Sequence, residues 1–182
     1  MECLSINAAQ DSVSLRFTQE ALEEGGTINI GILSVGRRAY RFFAPSDWRI
    51  EQESAGGAVK ATAADGSIMR IRFPENKRSG SEARIPGELL RERVLRQFTN
   101  GRVVQEFACF SEGGEGRGCD VEWTAESGTG IKTRLAVLDV KGAEVEFSLT
   151  TSPDKFERHV AGFVVLLNSF QPAQESQPAV RR

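Results

Sequence analysis

Residues 131–170 read IKTRLAVLDVKGAEVEFSLTTSPDKFERHVAGFVVLLNSF. Two runs rich in apolar and β-branched residues, Ile131–Val140 and Ala143–Thr151, predict two strands. Lys141-Gly142 lies between them and predicts the turn that reverses the chain. The stretch therefore predicts antiparallel strands that are followed directly by a helix.

The helix at the end of this stretch has clear start signals. Ser152 is a typical N-cap residue, Pro153 suits the first helical position, and Asp154 favours the positive end of the helix dipole. The following apolar residues recur at i, i+4, i+7, i+11 and i+14, which predicts one buried stripe. These residues are Phe156, Val160, Phe163, Leu167 and Phe170.

Upstream of this unit the chain has the same kinds of pattern. Val13, Leu15 and Phe17 alternate with polar residues and predict a half-buried strand. Two further hairpins are predicted from turn residues that lie between strand-like runs. Their turns are at Gly36 and Asp65-Gly66, and the paired runs are 27–32 with 39–43 and 58–64 with 67–73.

Another helix is predicted in the middle of the chain. Pro86 suits its first turn, and Leu90, Val94 and Phe98 fall on one side at successive i+4 steps. Asn100-Gly101 ends it, and two more strands are predicted at Arg102–Phe110 and Gly118–Glu126.

These elements predict an α+β fold, a mostly antiparallel β-sheet with two main helices packed as an α/β/α-type sandwich. Residues 27–170 are predicted to form a single domain. An N-terminal strand and leader over residues 1–26 are predicted to pack on it, and residues 171–182, which are polar and contain proline, predict a flexible tail.

The composition narrows the class of protein. The 182 residues carry a net charge of -2, and 40% are hydrophobic while 26% are charged. These values exclude a disordered chain, a disulfide-rich miniprotein and a strongly basic nucleic-acid binder, and no run is apolar for long enough to span a membrane. As written, the chain has no signal peptide, which predicts the cytoplasm, or export if a signal peptide had been removed.

Two signatures resemble the PsbP/Mog-like superfamily, in particular its bacterial PsbP-like or lipoprotein-type domains. The first is residues 42–50, FFAPSDWRI, where an aromatic pair, a proline and a tryptophan precede a strand. The second is the closing helix, from Phe156-Glu157-Arg158 to Asn168-Ser169-Phe170. With the strand–helix–strand order between them, the resemblance covers residues 27–170.

The resemblance implies a sheet-and-helix sandwich with a binding or assembly role and usually no catalysis. Members include a lumenal extrinsic protein of photosystem II, the Ran-binding Mog protein and many bacterial lipoproteins, so the fold alone does not transmit a function. The acidic surface expected of a Ran binder is not identifiable in this sequence.

Few residues suggest catalysis, and the sequence predicts no enzyme, catalytic residue, metal or cofactor. His159 is the only histidine, and its place beside the apolar stripe favours a structural residue over a catalytic base. No G-x-S-x-G motif is present. The glycine-rich stretch 113–118 lacks the spacing of a phosphate-binding loop, and it is interpreted as a mobile hairpin tip.

Cys109 and Cys119 are expected to lie opposite each other if residues 111–117 form a hairpin turn. Both thiols would then lie on one apolar, inward face. Two buried free thiols and a cross-strand disulfide both fit this placement. Trp48 and Trp123 are each interpreted as core residues, with contact to a ligand as the alternative.

A basic surface around the first helix is the candidate contact region. A solvated charged face is one interpretation, and the functional one is a docking surface for an acidic protein partner or a lipid headgroup. The residues predicted to bind that partner are Lys77, Arg78, Arg84, Arg93 and Arg96. The sequence thus predicts a non-catalytic binding or assembly module that does not bind nucleic acid. The alternative is a small-molecule or lipid carrier that uses a cleft between sheet and helix.

Overall fold

The computed structural model describes residues 13–53, 58–74 and 87–173. Within these ranges the chain forms strands, two α-helices and one 3-10 turn. In chain order they are β1 (Val13–Ala21), β2 (Thr27–Val35), β3 (Arg38–Phe43), β4 (Arg49–Glu53), β5 (Ala58–Thr62), β6 (Ile68–Arg72), α1 (Gly87–Gln97), β7 (Arg102–Ser111), β8 (Gly114–Thr124), β9 (Gly130–Val140), β10 (Ala143–Thr151), the 3-10 turn Pro153–Lys155, α2 (Phe156–Asn168) and β11 (Gln171–Pro172).

The strands form two sheets in which every pair is antiparallel. The small sheet has the order β1-β2-β3-β11, and the large sheet has the order β4-β5-β6-β10-β9-β8-β7. The break between the sheets falls between Phe43, the last residue of β3, and Arg49, the first residue of β4. This connection contains Pro45 and the buried Trp48. The sequence pattern did not reveal this division into two sheets.

The helices cover opposite faces of the large sheet. Leu90 and Val94 of α1 pack with Cys119, Val121 and neighbouring residues of β8 and β9. The main core lies on the other face, where α2 and the small sheet pack against β5, β6, β9 and β10. The predicted α+β sandwich with mostly antiparallel strands and two helices is therefore confirmed.

Residues 131–170 form the predicted hairpin and helix. Lys141 and Gly142 both have positive φ, 50° and 77°, and Val140 pairs with Ala143 across a two-residue turn. The predicted stripe of α2 is buried, apart from the half-buried Val160. Ser152 lies at the N-cap of the 3-10 turn that leads into α2, and Pro153 follows it at the first position of the turn as predicted. The side chain of Ser152 makes no capping hydrogen bond.

The glycine-rich stretch is a strand and not the predicted hairpin tip. The turn between β7 and β8 is only Glu112-Gly113, and residues 114–118 already belong to β8. A side chain at Gly118 would collide with the ring of Phe107. The glycine there allows close packing on the α2 side of the sheet.

The folded part extends past the predicted start of the tail. Gln171 and Pro172 pair with Arg41 and Tyr40, and the N–H of Ala173 donates to the carbonyl of Ala39. The tail boundary predicted at residue 171 is thus three residues too early, because these backbone groups extend the small sheet. The rest of the predicted tail and residues 1–12 lie outside the described ranges.

Candidate functional site

A cleft lies between α1 and the end of the large sheet that carries the β7–β8 turn. Its volume is about 460 Å³, within the range of about 300–1,000 Å³ that is typical of ligand sites. We call it the α1 cleft. Its lining consists of Leu90, Ala108, Phe110, Gly114, Glu115, Gly116, Arg117, Val137, Leu138, Asp139 and Glu144.

The cleft follows from the lengths of the elements around it. The 11 residues of α1 extend about 16 Å, whereas the 11 residues of β8 extend about 36 Å. The helix contacts the sheet around Cys119 and Val121, so it leaves the first residues of β8 beyond its reach. In the described part of the chain, α2 is the other α-helix, and it packs on the opposite face.

Phe110 is the most exposed large apolar side chain of the described residues, with 60% of its surface accessible. It lies on β7, the edge strand of the large sheet, and it lines the α1 cleft. Aromatic side chains in contact regions supply large apolar area at a low entropic cost. Phe110 is therefore the strongest single candidate for contact with a ligand.

One row of side chains runs from Phe110 across four neighbouring strands. Phe110 pairs with Glu115, Glu115 pairs with Asp139, and Asp139 pairs with Glu144. Like charges directly opposite each other destabilise a sheet. Three carboxylates in register on β8, β9 and β10 are thus an arrangement that packing alone does not favour. We call Glu115, Asp139 and Glu144 the carboxylate row.

Contacts within the protein offset part of this repulsion. Arg93 of α1 donates to Glu144 over 2.6 Å and to Glu146 over 2.7 Å. The N–H of Gly142 donates to Asp139 over 2.7 Å. Arg93 thus brings one positive charge against two carboxylates.

The basic residues that are predicted to bind a partner differ in their contacts in the structure. Arg93 is engaged in its two ion pairs and fixes α1 to β10. Arg96 is exposed and forms no ion pair with any of the described residues. Lys77, Arg78 and Arg84 lie outside the described ranges. Of the predicted surface, Arg96 is the described residue that is available to a partner.

His159 packs in the core next to a partner that the sequence did not suggest. Its Nε2 lies 2.8 Å from Oδ2 of Asp65, and its ring meets Trp48 edge-on at 5.1 Å. The hydrogen bond with His159, followed by the backbone N–H of Ser67, holds the pKa of Asp65 well below its usual range. Lys155 donates to the carbonyl of Asp65 as well. These contacts fix α2 to the β5–β6 turn, as expected of a structural histidine.

The two tryptophans are packed residues. Trp48 is 8% exposed, and the Nε1 of Trp123 donates to Thr133 while its ring contacts Phe98. Neither lines the α1 cleft. Among the described residues, no three His, Cys, Asp or Glu side chains are grouped to hold a metal ion.

The two cysteines are buried free thiols that do not face each other. Cys109 pairs with Gly116, whereas Cys119 pairs with Glu106. The thiols therefore lie in the two core clusters on opposite faces of the sheet. The predicted opposition was wrong because it relied on a longer turn.

Burial raises the pKa of both thiols to about 12, which keeps them protonated at neutral pH. We expect that a Cys3→Ser variant does not react with Ellman's reagent at pH 8 while folded, and that unfolding in guanidinium releases both thiols. Rapid reaction of one thiol in the folded protein would contradict the burial.

The sequence matches no protein-family model, and it matches no curated protein at a significant level. Solved structures do match. The solution structure of cyanobacterial PsbP (CyanoP) from Synechocystis sp. PCC 6803 has a TM-score of 0.53 at 14% identity, covering 95% of this chain and 98% of that one. The protein is similar to it over nearly its whole length. The chain has the PsbP-like fold.

Two further solved structures are similar. PA94 from Pseudomonas aeruginosa, a protein of unknown function described as a candidate regulator, has a TM-score of 0.51 at 16% identity over 88% of this chain and 99% of that one. LpqN of Mycobacterium tuberculosis, involved in cell envelope biogenesis, has a TM-score of 0.48 at 12% identity over 88% and 92%.

In this PsbP-like fold the two sequence signatures meet in the core. The N–H of Phe43, from the first signature, donates to Oγ of Ser169, from the second, over 2.9 Å. The rings of Phe42 and Phe170 lie 6.3 Å apart. Neither described helix is long and apolar enough to cross a bilayer.

Proposed function

We propose that this protein is a non-catalytic binding module that engages a partner protein through the α1 cleft. The observation that carries the proposal is Phe110, 60% exposed beside a cleft of about 460 Å³, on a domain whose other aromatic side chains are mostly packed. An exposed aromatic residue beside a concave surface is typical of an interface centre.

The lining supports a binding role rather than catalysis. Leu90, Val137 and Phe110 provide apolar surface, and the charged groups are a guanidinium and three carboxylates. His159 and the buried thiols lie elsewhere. The lining thus provides an apolar area for contact and a few polar groups that can fix the orientation of a bound partner.

The test compares two exposed apolar residues on different faces of the domain. Phe110→Ser removes the aromatic group of the cleft, and Val165→Ser alters a residue of α2 that is 53% exposed. A protein recovered by affinity purification with the wild-type chain is then purified, and its Kd is measured by calorimetry. Because burial of a phenylalanine contributes about 2 kcal/mol, we expect Phe110→Ser to weaken binding by at least about tenfold. Val165→Ser should change the Kd less than about twofold.

The outcomes separate this proposal from its rivals. Equal affinity for wild type and Phe110→Ser would exclude the α1 cleft as the contact. Strong weakening by Arg96→Glu alone would favour the acidic partner predicted from the basic residues. Arg93 is not suitable for that comparison, because reversing its charge would also break its contacts with Glu144 and Glu146.

The second candidate is a small-molecule carrier, which the volume of the cleft favours. Native mass spectrometry of the purified chain should then show a bound compound of constant mass. Loss of that mass in Phe110→Ser, with no protein partner recovered, would replace the proposed function by this one.

A further inference from the structure

The free edge of β7 indicates which partner Phe110 contacts, an inference that rests on the proposed function. Ser111 and Gly114 flank the two-residue turn after β7 and therefore exchange hydrogen bonds. Because this pattern alternates along an antiparallel pair, Glu106, Ala108 and Phe110 direct their N–H and C=O groups away from β8. In the described part of the chain no other strand pairs with this edge. Such an edge can pair with a further strand.

Three exposed apolar side chains flank this edge. Phe110 and Val104 of β7 are 60% and 38% exposed. Leu95 of α1 is 37% exposed, and it lies one helical turn after Arg91, which donates to Glu106 of β7 over 3.0 Å. Leu95 is therefore on the side of α1 that faces β7. Exposed apolar residues that gather at an unpaired edge are typical of a contact between protein molecules.

The helix α1 covers one half of β7 and leaves the other half open. In the covered half, Arg91 bonds to Glu106, and Val103 packs with the buried cluster beneath α1. In the open half, Ala108 and Phe110 line the α1 cleft. A second copy in antiparallel orientation would bring its covered half beside this open half. The helix of each copy would then lie beside the cleft of the other and complete it.

One antiparallel register suits two copies of β7. With Phe107 on the two-fold axis, Phe110 of each copy lies opposite Val104 of the other, and both are exposed apolar residues. In the same register Glu106 lies opposite Ala108. A register centred on Glu106 would instead place two carboxylates opposite each other, which is destabilising. One centred on Ala108 would place Glu106 opposite Phe110, and one centred on Val104 would leave Phe110 outside the pair.

The ends of this pairing carry opposite charges. Arg102 at the start of β7 comes level with Glu112, in the β7–β8 turn, of the second copy. Both side chains are exposed, so these charges would set the orientation more than the strength of the contact. The bulge between Val103 and Gln105 lies at the end of the paired segment. The central residues of β7 are thus regular and available for pairing.

We propose that a second copy of this chain pairs with the β7 edge in this register, so that Phe110 of each copy packs against Val104 and Leu95 of the other. Each seven-stranded sheet would continue directly into the next. Seven paired residues extend about 23 Å, and with the flanking helices the contact would bury roughly 1,000 Å², near the lower limit of specific interfaces. We therefore expect a reversible dimer with a Kd in the micromolar range.

Sedimentation equilibrium of the purified full chain, over about a hundredfold range of concentration, measures this association. We expect Phe110→Arg and Val104→Glu each to weaken the dimer by at least about tenfold, because each would bury a charge against an apolar side chain. Val165→Glu is the matched control, since it introduces a charge at an exposed apolar residue of α2. It should change the Kd less than about twofold. Circular dichroism checks that each variant is folded.

A double variant identifies the register. In Phe110→Arg with Val104→Glu, the introduced guanidinium of each copy would lie opposite the introduced carboxylate of the other. Opposite charges in register stabilise a strand pair, so this variant should bind at least about fivefold more tightly than either single variant. Phe110→Arg with Val165→Glu introduces the same two charges, but its carboxylate is on α2. It should remain as weak as Phe110→Arg alone.

The outcomes separate the second copy from other partners. A chain that is monomeric at every concentration would overturn the inference, and the proposed function would then depend on a partner of different sequence and on the comparison of Phe110→Ser with Val165→Ser. A dimer that Phe110→Arg does not weaken would place the contact elsewhere and would also overturn it. Equal affinities of the two double variants would contradict the proposed register.

Discussion

Asp120→Ala is expected to lower the free energy of unfolding by about 3 kcal/mol, with a fall in Tm of roughly 6–12 °C. Asp120 is 1% exposed and accepts two hydrogen bonds from Arg134, over 2.7 and 2.8 Å. Arg134 also lies near the rings of Phe107 and Phe156, at 4.9 and 5.4 Å. Without Asp120 this arginine would remain in place as a largely buried charge with no carboxylate, which is the costly state. Urea denaturation followed by circular dichroism measures the change.

The matched control lies two residues along the same strand. Glu122 pairs with Arg102, but the side chains are 41% and 78% exposed, so Glu122→Ala should cost less than about 0.5 kcal/mol. Joint replacement of Asp120 by leucine and Arg134 by methionine should recover much of the loss, since no buried charge remains. Similar losses for Asp120→Ala and Glu122→Ala would show that the first pair is effectively solvated.

The parts of the fold that could be predicted from the sequence depend on local signals. Lys141-Gly142 required positive φ and thereby set the register of β9 and β10. The apolar spacing of α2 identified its buried face because helix geometry fixes which residues share a side. The same rule identified Leu90 and Val94 as the buried residues of α1. Each of these inferences uses residues that are close in sequence.

The candidate site was harder to predict from the sequence because it depends on contacts between residues that are far apart in the chain. Arg93 meets Glu144 and Glu146 across 51 and 53 residues, and His159 meets Asp65 across 94. The carboxylate row was missed because residues 113–118 were interpreted as a loop, which removes Glu115 from β8. Alternation in that stretch was the available signal, since its charged residues fall at every second position between glycines.

Phe170→Ala is expected to have the largest effect on stability, a loss of about 4 kcal/mol. Phe170 is fully buried, and its ring lies 5.1 Å from that of Tyr40 and 5.0 Å from that of Phe147. Tyr40 belongs to the small sheet and Phe147 to the large one, so this ring joins the two sheets at the end of α2. Truncation would remove those contacts and leave a cavity that the surrounding strands cannot close. Thermal and urea denaturation give the loss.

Phe110→Ala is the matched control, because it makes the same substitution at a ring that is 60% exposed. It should change the free energy of unfolding by less than about 0.5 kcal/mol and should weaken binding at the α1 cleft. Phe170→Ala should lower the free energy of unfolding. At a temperature where this variant is folded, it should leave binding at the α1 cleft unchanged, since Phe170 packs on the other face of the large sheet. Stability and binding would then depend on different aromatic residues. Equal losses of stability in the two variants would mean that Phe110 belongs to the core, and the α1 cleft would then not be the contact surface.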